Sequence, residues 1–346
     1  MANPTPLTAA ELQAHPEFKH VTWDLKPEKK ESVAVANGRG GPINIAYEVH
    51  GHGDIHLVVS MRYRKWVMGL GAFKSAWQRQ TKDFAHTQAS KYTSLIFDNR
   101  GMGESDKPLA RYSTSDMALD AIELLDHLGW TGRRQCHIIG ISMGGMISQE
   151  IAIRIPSRIA SLSLVSTAPR LVNTVGFVEN IRNRINLFIP RHIDEQLTRV
   201  KYNLFTADWC NAPDEHEYTV KSFPTNGDRM MASEITKRNN TAQFTRRGFL
   251  LQIIAAGWHH KSDAQLKQIG DEVGRERIMV VHGTNDNMIT FPHGPMLLKG
   301  LGGEEGGVTK KFIDGQGHML PAEMRKEFNG WIEDLVRRGE ELNSKS

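Results

Sequence analysis

Three residues of complementary chemistry follow one another along the chain. Ser142 lies in Gly140-Ile141-Ser142-Met143-Gly144, directly after the apolar run 137–139 and directly before a helical pattern. A strand that passes into a helix at this spacing must turn so tightly that small residues are needed on both sides of the serine. Such a turn lifts the hydroxyl above the sheet, with a helix N-terminus behind it that favours developing negative charge. A serine hydroxyl is a weak nucleophile; it needs a base, and the base needs an orienting acid. Of the 15 histidines, His318 stands out in the flexible loop Gly315-Gln316-Gly317-His318-Met319, immediately after the last predicted strand. Asp286 ends Gly283-Thr284-Asn285-Asp286, the loop after the apolar run 278–281. Nucleophile, acid and base thus stand at strand ends on one edge of a parallel sheet, where open α/β folds place their sites. The bland alternatives are a capping serine, a turn aspartate and a surface histidine.

The elements that must position these residues are read from hydrophobic periodicity. Runs rich in β-branched residues predict about eight strands, at 32–36, 43–49, 56–59, 94–97, 137–139, 161–165, 278–281 and 310–313. Helical patterns between them mark a βαβ chain with a mostly parallel sheet. The first two strands are separated only by the turn-rich segment 37–42, too short for a crossover, and should pair antiparallel. Met117, Ala121, Leu124, Leu125 and Leu128 repeat at helical spacing behind a Ser113/Asp116 capping pair, with Gly129 at the C-terminal end. Further helices are expected from just after Ser142 to before Pro156, and from about Pro321 to Arg338.

The alternation breaks once. Between Pro169 and about Lys261 there is no strong strand signal, and helical stretches at 177–188 and 246–258 are joined by polar, Pro-containing loops. The expected organisation is therefore a polar lead-in at 1–30, a core made of 31–170 and 263–346, and a helical cap inserted at 171–262. The inserted stretch holds ten of the chain's 26 aromatic residues, a small excess that mostly holds the cap together and leaves a few rings to line a pocket.

A length of 346 residues alone suggests about two domains of roughly 150 residues; the inserted cap accounts for the excess instead. With 39% apolar and 24% charged residues the composition is that of a globular protein, which excludes collagen-like, disordered and disulfide-scaffold classes. A net charge of +4 is too small to imply nucleic acid or an anionic membrane as partner. The segment Arg62-Tyr63-Arg64-Lys65-Trp66 interleaves cations with aromatics, and without a wider basic field it reads as a solvated loop. Two cysteines, Cys136 and Cys210, cannot build a metal site, and no other cluster has ligand spacing, so neither metal nor cofactor is expected. No apolar run suits a signal peptide or a membrane span, and the final Ser344-Lys345-Ser346 lacks the Leu of a peroxisomal address. A reducing, cytoplasmic setting is the default expectation. Arg100, Asp98, Ser105, His259, His260, His282 and His293 read as structural.

With the motifs in place, the sequence resembles the α/β-hydrolase superfamily over roughly residues 32–340. Besides the serine turn, Asp98-Asn99-Arg100-Gly101-Met102-Gly103-Glu104-Ser105 resembles the family's D-x-R-G-x-G-x-S turn, and Met68-Gly69-Leu70-Gly71 resembles its loop after the third strand. The resemblance implies that the backbone N–H groups of Leu70 and Met143 form an oxyanion hole. It also implies that Gly-Thr-x-Asp and Gly-His supply acid and base. In one respect the chain departs from the family: Val58-Val59 is followed by 60–67, several extra residues, before Met68-Gly69.

The expected activity is that of a serine hydrolase. Ser142 attacks the carboxylic ester of a small to medium apolar substrate, His318 takes its proton and Asp286 orients His318. The same triad would serve a C–C bond hydrolase, a thioesterase or an acyltransferase. A serine rather than an aspartate in the tight turn argues against epoxide hydrolases and haloalkane dehalogenases. A non-catalytic, ligand-binding relative is the alternative from another class. Substrate and oligomeric state are not encoded in any motif.

Overall fold

The computed structural model describes residues 6–53, 63–67, 69–172, 192–215, 217 and 220–345, with the backbone alone at 63–67. Eight strands form one sheet: β1 (Lys29–Val35), β2 (Ile43–His50), β3 (Tyr63–Val67), β4 (Thr93–Phe97), β5 (Cys136–Ile141), β6 (Ile159–Val165), β7 (Ile278–Gly283) and β8 (Thr309–Ile313). Their order is β1-β2-β4-β3-β5-β6-β7-β8. As expected, β1 and β2 pair antiparallel; β2 is also antiparallel to β4, and every later neighbour is parallel.

The helices are α1 (Ala9–Ala14), α2 (Gln78–Ala85), α3 (Thr114–His127), α4 (Met143–Arg154), α5 (Ile193–Leu204), α6 (Ala207–Asn211), α7 (Asn226–Asn239), α8 (Arg246–Gly257), α9 (Asp263–Val273), α10 (His293–Gly300), α11 (Leu320–Glu323) and α12 (Arg325–Ser344). Ser113 caps α3 by accepting the Asp116 N–H, and Gly129 takes φ +72° just past its end.

Period-two alternation in the strands explains why both faces of the sheet are covered. Leu95, Phe97, Ile138, Leu162, Leu164, Ile278 and Val280 face one way, against α3, α4, α9 and α10. Their neighbours Ile96, Ile139, Ile141, Val165, Met279 and Val281 face the other way, against Phe84 of α2 and Phe328, Ile332, Leu335 and Val336 of α12.

One expectation cannot be followed and another changes. The strand read at 56–59 lies outside the described residues; the strand that precedes the Gly69-Leu70 loop is β3, at 63–67. It pairs in parallel with both β4 and β5, so residues 63–66 of the basic-aromatic segment are central strand and not a loop. The apparent surplus before Met68 is thus largely the strand itself, and Met68 is outside the described residues.

The lead-in, expected to be irregular, contains α1, capped reciprocally by Thr8 and Glu11. Leu12 and Val21 bury against Leu197, Phe223, Met231 and Ile235 of the segment between β6 and β7. Among the described residues that segment is helical and contributes no strand to the sheet. The helix expected at 177–188 falls outside the described residues; the one expected at 246–258 is α8.

Candidate active site

Ser142 sits between β5 and α4 at φ 56°, ψ −127°, a strained conformation for a side-chain-bearing residue. The surroundings over-determine it. A Cβ at Gly140 would run into Ser148 Oγ and the Gly144 carbonyl, and one at Gly145 would lie 2.6 Å from Thr167 Cβ. The Ser142 N–H donates to Val165 O at 2.9 Å, while its carbonyl accepts from Gly145 N (2.9 Å), Met146 N (3.2 Å) and Thr167 Oγ1 (2.7 Å). Met143 is the first residue of α4, where N–H groups have no acceptor within the helix.

Asp286 and His318 come together from the loops after β7 and β8. His318 Nδ1 donates to Asp286 Oδ2 at 2.7 Å, and both side chains are buried. A carboxylate only accepts, so Nδ1 carries a proton, and in the neutral ring it is then Nε2 that has the lone pair a general base requires. Asp286 Oδ1 accepts the Met288 and Ile289 N–H groups at 2.8 and 2.9 Å. Burial pushes the Asp286 carboxyl up, but the charges and hydrogen bonds of His318 and His282 outweigh it and hold the group well below the usual carboxylate range.

The structure therefore joins Asp286 and His318 by a hydrogen bond and places Ser142 at the same edge of the sheet. Among the described residues no hydrogen bond joins Ser142 Oγ to His318. The end of β6 links the two loops. Val165 O receives the Ser142 N–H, and the next residue, Ser166 at φ 44°, donates its hydroxyl to His318 O at 2.8 Å.

The loop that carries Leu70 also reaches the site. A Cβ built on Gly69 would lie 3.4 Å from Ser142 Cβ and 3.9 Å from its Oγ, so the loop after β3 passes directly over Ser142. Of the aromatic residues between β6 and β7, Phe249 packs on this loop, whereas Trp258 is 74% exposed. Phe177, Phe188 and Tyr218 lie outside the described residues.

The residues read as structural have structural partners. Arg100 makes a two-pronged pair with Asp120, both bonds at 2.6 Å, and Ser105 Oγ donates to Asp98 O at 2.7 Å. Asp98 accepts Lys74 N at 2.7 Å, Lys74 Nζ at 3.1 Å and Glu104 N at 3.0 Å, tying its turn to the end of the Gly69-Leu70 loop. His293 accepts the Val172 N–H, and His259 meets Thr114 Oγ1 at 2.9 Å. His282, in contrast, does more than fill space. Its Nε2 donates to Ile289 O at 2.7 Å and lies 3.4 Å from Asp286 Oδ2, so it buttresses the acid. Its place at a strand end four residues before Asp286 was the only available signal.

With fold and geometry established, comparison places the chain. The alpha/beta hydrolase fold family matches residues 67–323, and the chain belongs to it. A protein of Caulobacter segnis named "Putative carbamate hydrolase RutD" is 26% identical over 247 residues, covering 71% of this chain and 80% of that one. The 3-oxoadipate enol-lactonase 2 of Acinetobacter baylyi is 36% identical over 102 residues, 30% of this chain and 36% of the relative. In several such matches the chain spans half or less of the relative's length, for instance 41% of a RutD protein from Variovorax paradoxus. Among solved structures, a thermophilic esterase from Thermogutta terrifontis superposes with a TM-score of 0.66 at 18% identity, covering 90% of this chain and 99% of that one. The enol-lactonase of Burkholderia xenovorans gives 0.61 at 19%, covering 89% and 100%. At these identities the likeness concerns the fold. No helix among the described residues is long and apolar enough to cross a membrane.

Proposed function

We propose that the protein is a serine hydrolase that cleaves the carboxylic ester of a small to medium apolar substrate, with Ser142, His318 and Asp286 as its triad. The observation that carries this reading is the buried 2.7 Å bond from His318 to Asp286, which orients the imidazole at the same edge as a strained serine. Ser142 Oγ attacks the carbonyl as His318 Nε2 takes its proton. The resulting oxyanion is held by the N–H groups of Leu70 and Met143. His318 then returns the proton to the leaving alkoxide, an acyl-enzyme remains, and water activated by the same base releases the acid. In this reading 171–262 form a cap over a core built of 31–170 and 263–346.

The names of the relatives, carbamate hydrolase and enol-lactonase, point to two neighbouring carbonyl substrates that the same nucleophile would open. A lactone is an internal ester and falls within the proposal. Cys136 and Cys210 are both buried, and the reading includes a reducing, cytoplasmic setting.

Labelling with a fluorophosphonate probe, together with hydrolysis of p-nitrophenyl butyrate and of a simple lactone, tests the reading. Labelling and turnover are expected in the wild type and absent in Ser142→Ala. Labelling that persists in the variant overturns the assignment of the nucleophile. A wild type that neither labels nor turns over points to the ligand-binding alternative.

A further inference from the structure

The loop that passes over Ser142 is a tight turn, Gly69 to Ala72, closed by the Ala72 N–H on Gly69 O at 3.5 Å, with Gly71 at φ 65°. The peptide between Leu70 and Gly71 is the one that inverts when such a turn changes type, and glycine places little steric resistance on the inversion. In this fold it has a specific partner. The Gly71 N–H donates to Gln252 Oε1 at 2.9 Å, and Gln252 Nε2 donates to Arg100 O at 3.0 Å. An amide N–H can only donate and a carbonyl can only accept, so the two contacts fix which end of the Gln252 side chain is which.

Gln252 comes from α8, far along the chain, and is 1% exposed. The helix is held against both loops through small residues. A Cβ on Gly248 would run into the Gly101 carbonyl oxygen, and one on Gly71 would lie 2.7 Å from the Phe249 ring. Phe244 bridges to Met102, and the Gly103 N–H donates to Gln243 O at 3.0 Å. Arg100, which offers the second carbonyl, is itself anchored by Asp120. One buried amide therefore spans α8, the loop over the nucleophile and the turn after β4.

We propose that Gln252 is a positioning residue for the oxyanion hole: by holding the Leu70–Gly71 peptide in one orientation it fixes the adjoining Gly69–Leu70 peptide, whose N–H faces the developing oxyanion. This rests on the serine-hydrolase reading above. Inversion of the held peptide would bring the Leu70 carbonyl toward Gln252 Oε1, oxygen against oxygen, and so the side chain selects one turn type. Its consequence is a link between α8 and rate. Substrate binding through the rest of the pocket does not depend on that amide, whereas stabilisation of the tetrahedral intermediate does.

Gln252→Leu removes both bonds at similar volume; Gln252→Glu keeps an acceptor for Gly71 but loses the donor to Arg100. In Gln252→Leu, kcat on p-nitrophenyl butyrate is expected to fall about 10- to 100-fold with KM within about threefold, less than the ~10²–10³ for losing an oxyanion donor outright. Affinity for an aryl boronic acid, which mimics the tetrahedral adduct, should fall by a similar factor, with Gln252→Glu intermediate. Amide exchange of the segment 69–72, followed by mass spectrometry, should quicken at least about tenfold relative to the wild type. Unchanged kcat and boronate affinity, or a loss carried by KM alone, overturns the inference. Should the variants not fold, the wild type still decides it: a 69–72 segment exchanging as fast as an open loop refutes the hold. A wild type with no turnover and no boronate binding refutes the hydrolase reading instead, while the exchange data still report on the hold itself.

Discussion

Asp286 divides its two carboxylate oxygens between two tasks: Oδ2 takes the His318 Nδ1–H at 2.7 Å, while Oδ1 is pinned by the Met288 and Ile289 N–H groups. Asp286 is thus clamped by its own loop while it holds the His318 ring. Replacing it leaves His318 free to adopt the other tautomer. Asp286→Asn is expected to lower kcat by about 10³–10⁴ on p-nitrophenyl butyrate, with an unchanged far-ultraviolet spectrum. A loss below tenfold would show that another group orients His318.

The serine turn tolerates no added carbon at its first glycine. Gly140→Ala drives a methyl into Ser148 Oγ and the Gly144 carbonyl, and is expected to cost about 1–3 kcal/mol of stability along with most of the probe labelling at Ser142. Urea unfolding measures the first and fluorophosphonate labelling the second. A wild-type midpoint would contradict the packing described for this turn.

Asp98 accepts three hydrogen bonds while fully buried, two of them from Lys74. Burial pushes the Asp98 carboxyl up despite those donors. Lys74 also pairs with Glu104. Lys74→Met removes the Nζ partner and leaves Asp98 charged without it or protonated, at an expected cost of about 3–5 kcal/mol. Because the Lys74 backbone ends the loop over Ser142, kcat should fall as well. Denaturation and steady-state kinetics on one sample read both.

His259 is buried beside Lys261 and Glu150, and burial first, then the Lys261 charge, lowers its pKa to about 3. Its folded pKa therefore lies below the ordinary 6.5, and the unfolded chain binds the extra proton between the two values. Stability from this group is complete above the unfolded value and is lost as pH falls from 6.5 toward about 3. Urea midpoints at pH 7 and pH 4.5 should differ less in His259→Gln than in the wild type. Equal differences would show that His259 does not contribute to the slope.

Much of this architecture is legible in the chain because it rests on local pattern. The apolar run Ile278 to Val281 and the strand-like run Ser94 to Phe97 mark strands whose two faces both meet helices, and the Gly140 to Gly144 spacing marks the turn that raises Ser142. β3 was illegible for a physical reason: Arg64 and Lys65 interrupt the apolar run that a strand with neighbours on both sides normally shows. Ser166 and Gln252 escaped notice, and His282 was read as merely structural, because what they do depends on contacts made in three dimensions. The Gly71 to Gln252 bond spans 181 positions and the Ser166 to His318 bond 152, and no spacing rule reaches that far.

The contact between the first helix and the helices before β7 bears on how the protein can be handled. Leu7 N–H binds Asp228, Ala9 N–H binds Asp194, and Glu17 accepts the Val220 and Lys221 N–H groups beside Arg229. Trimming the first two dozen residues would strip these bonds and bare Leu197, Phe223, Met231 and Ile235 to water. The shortened protein would then carry a new apolar patch on the helices before β7, and an expression design that keeps the first two dozen residues avoids it.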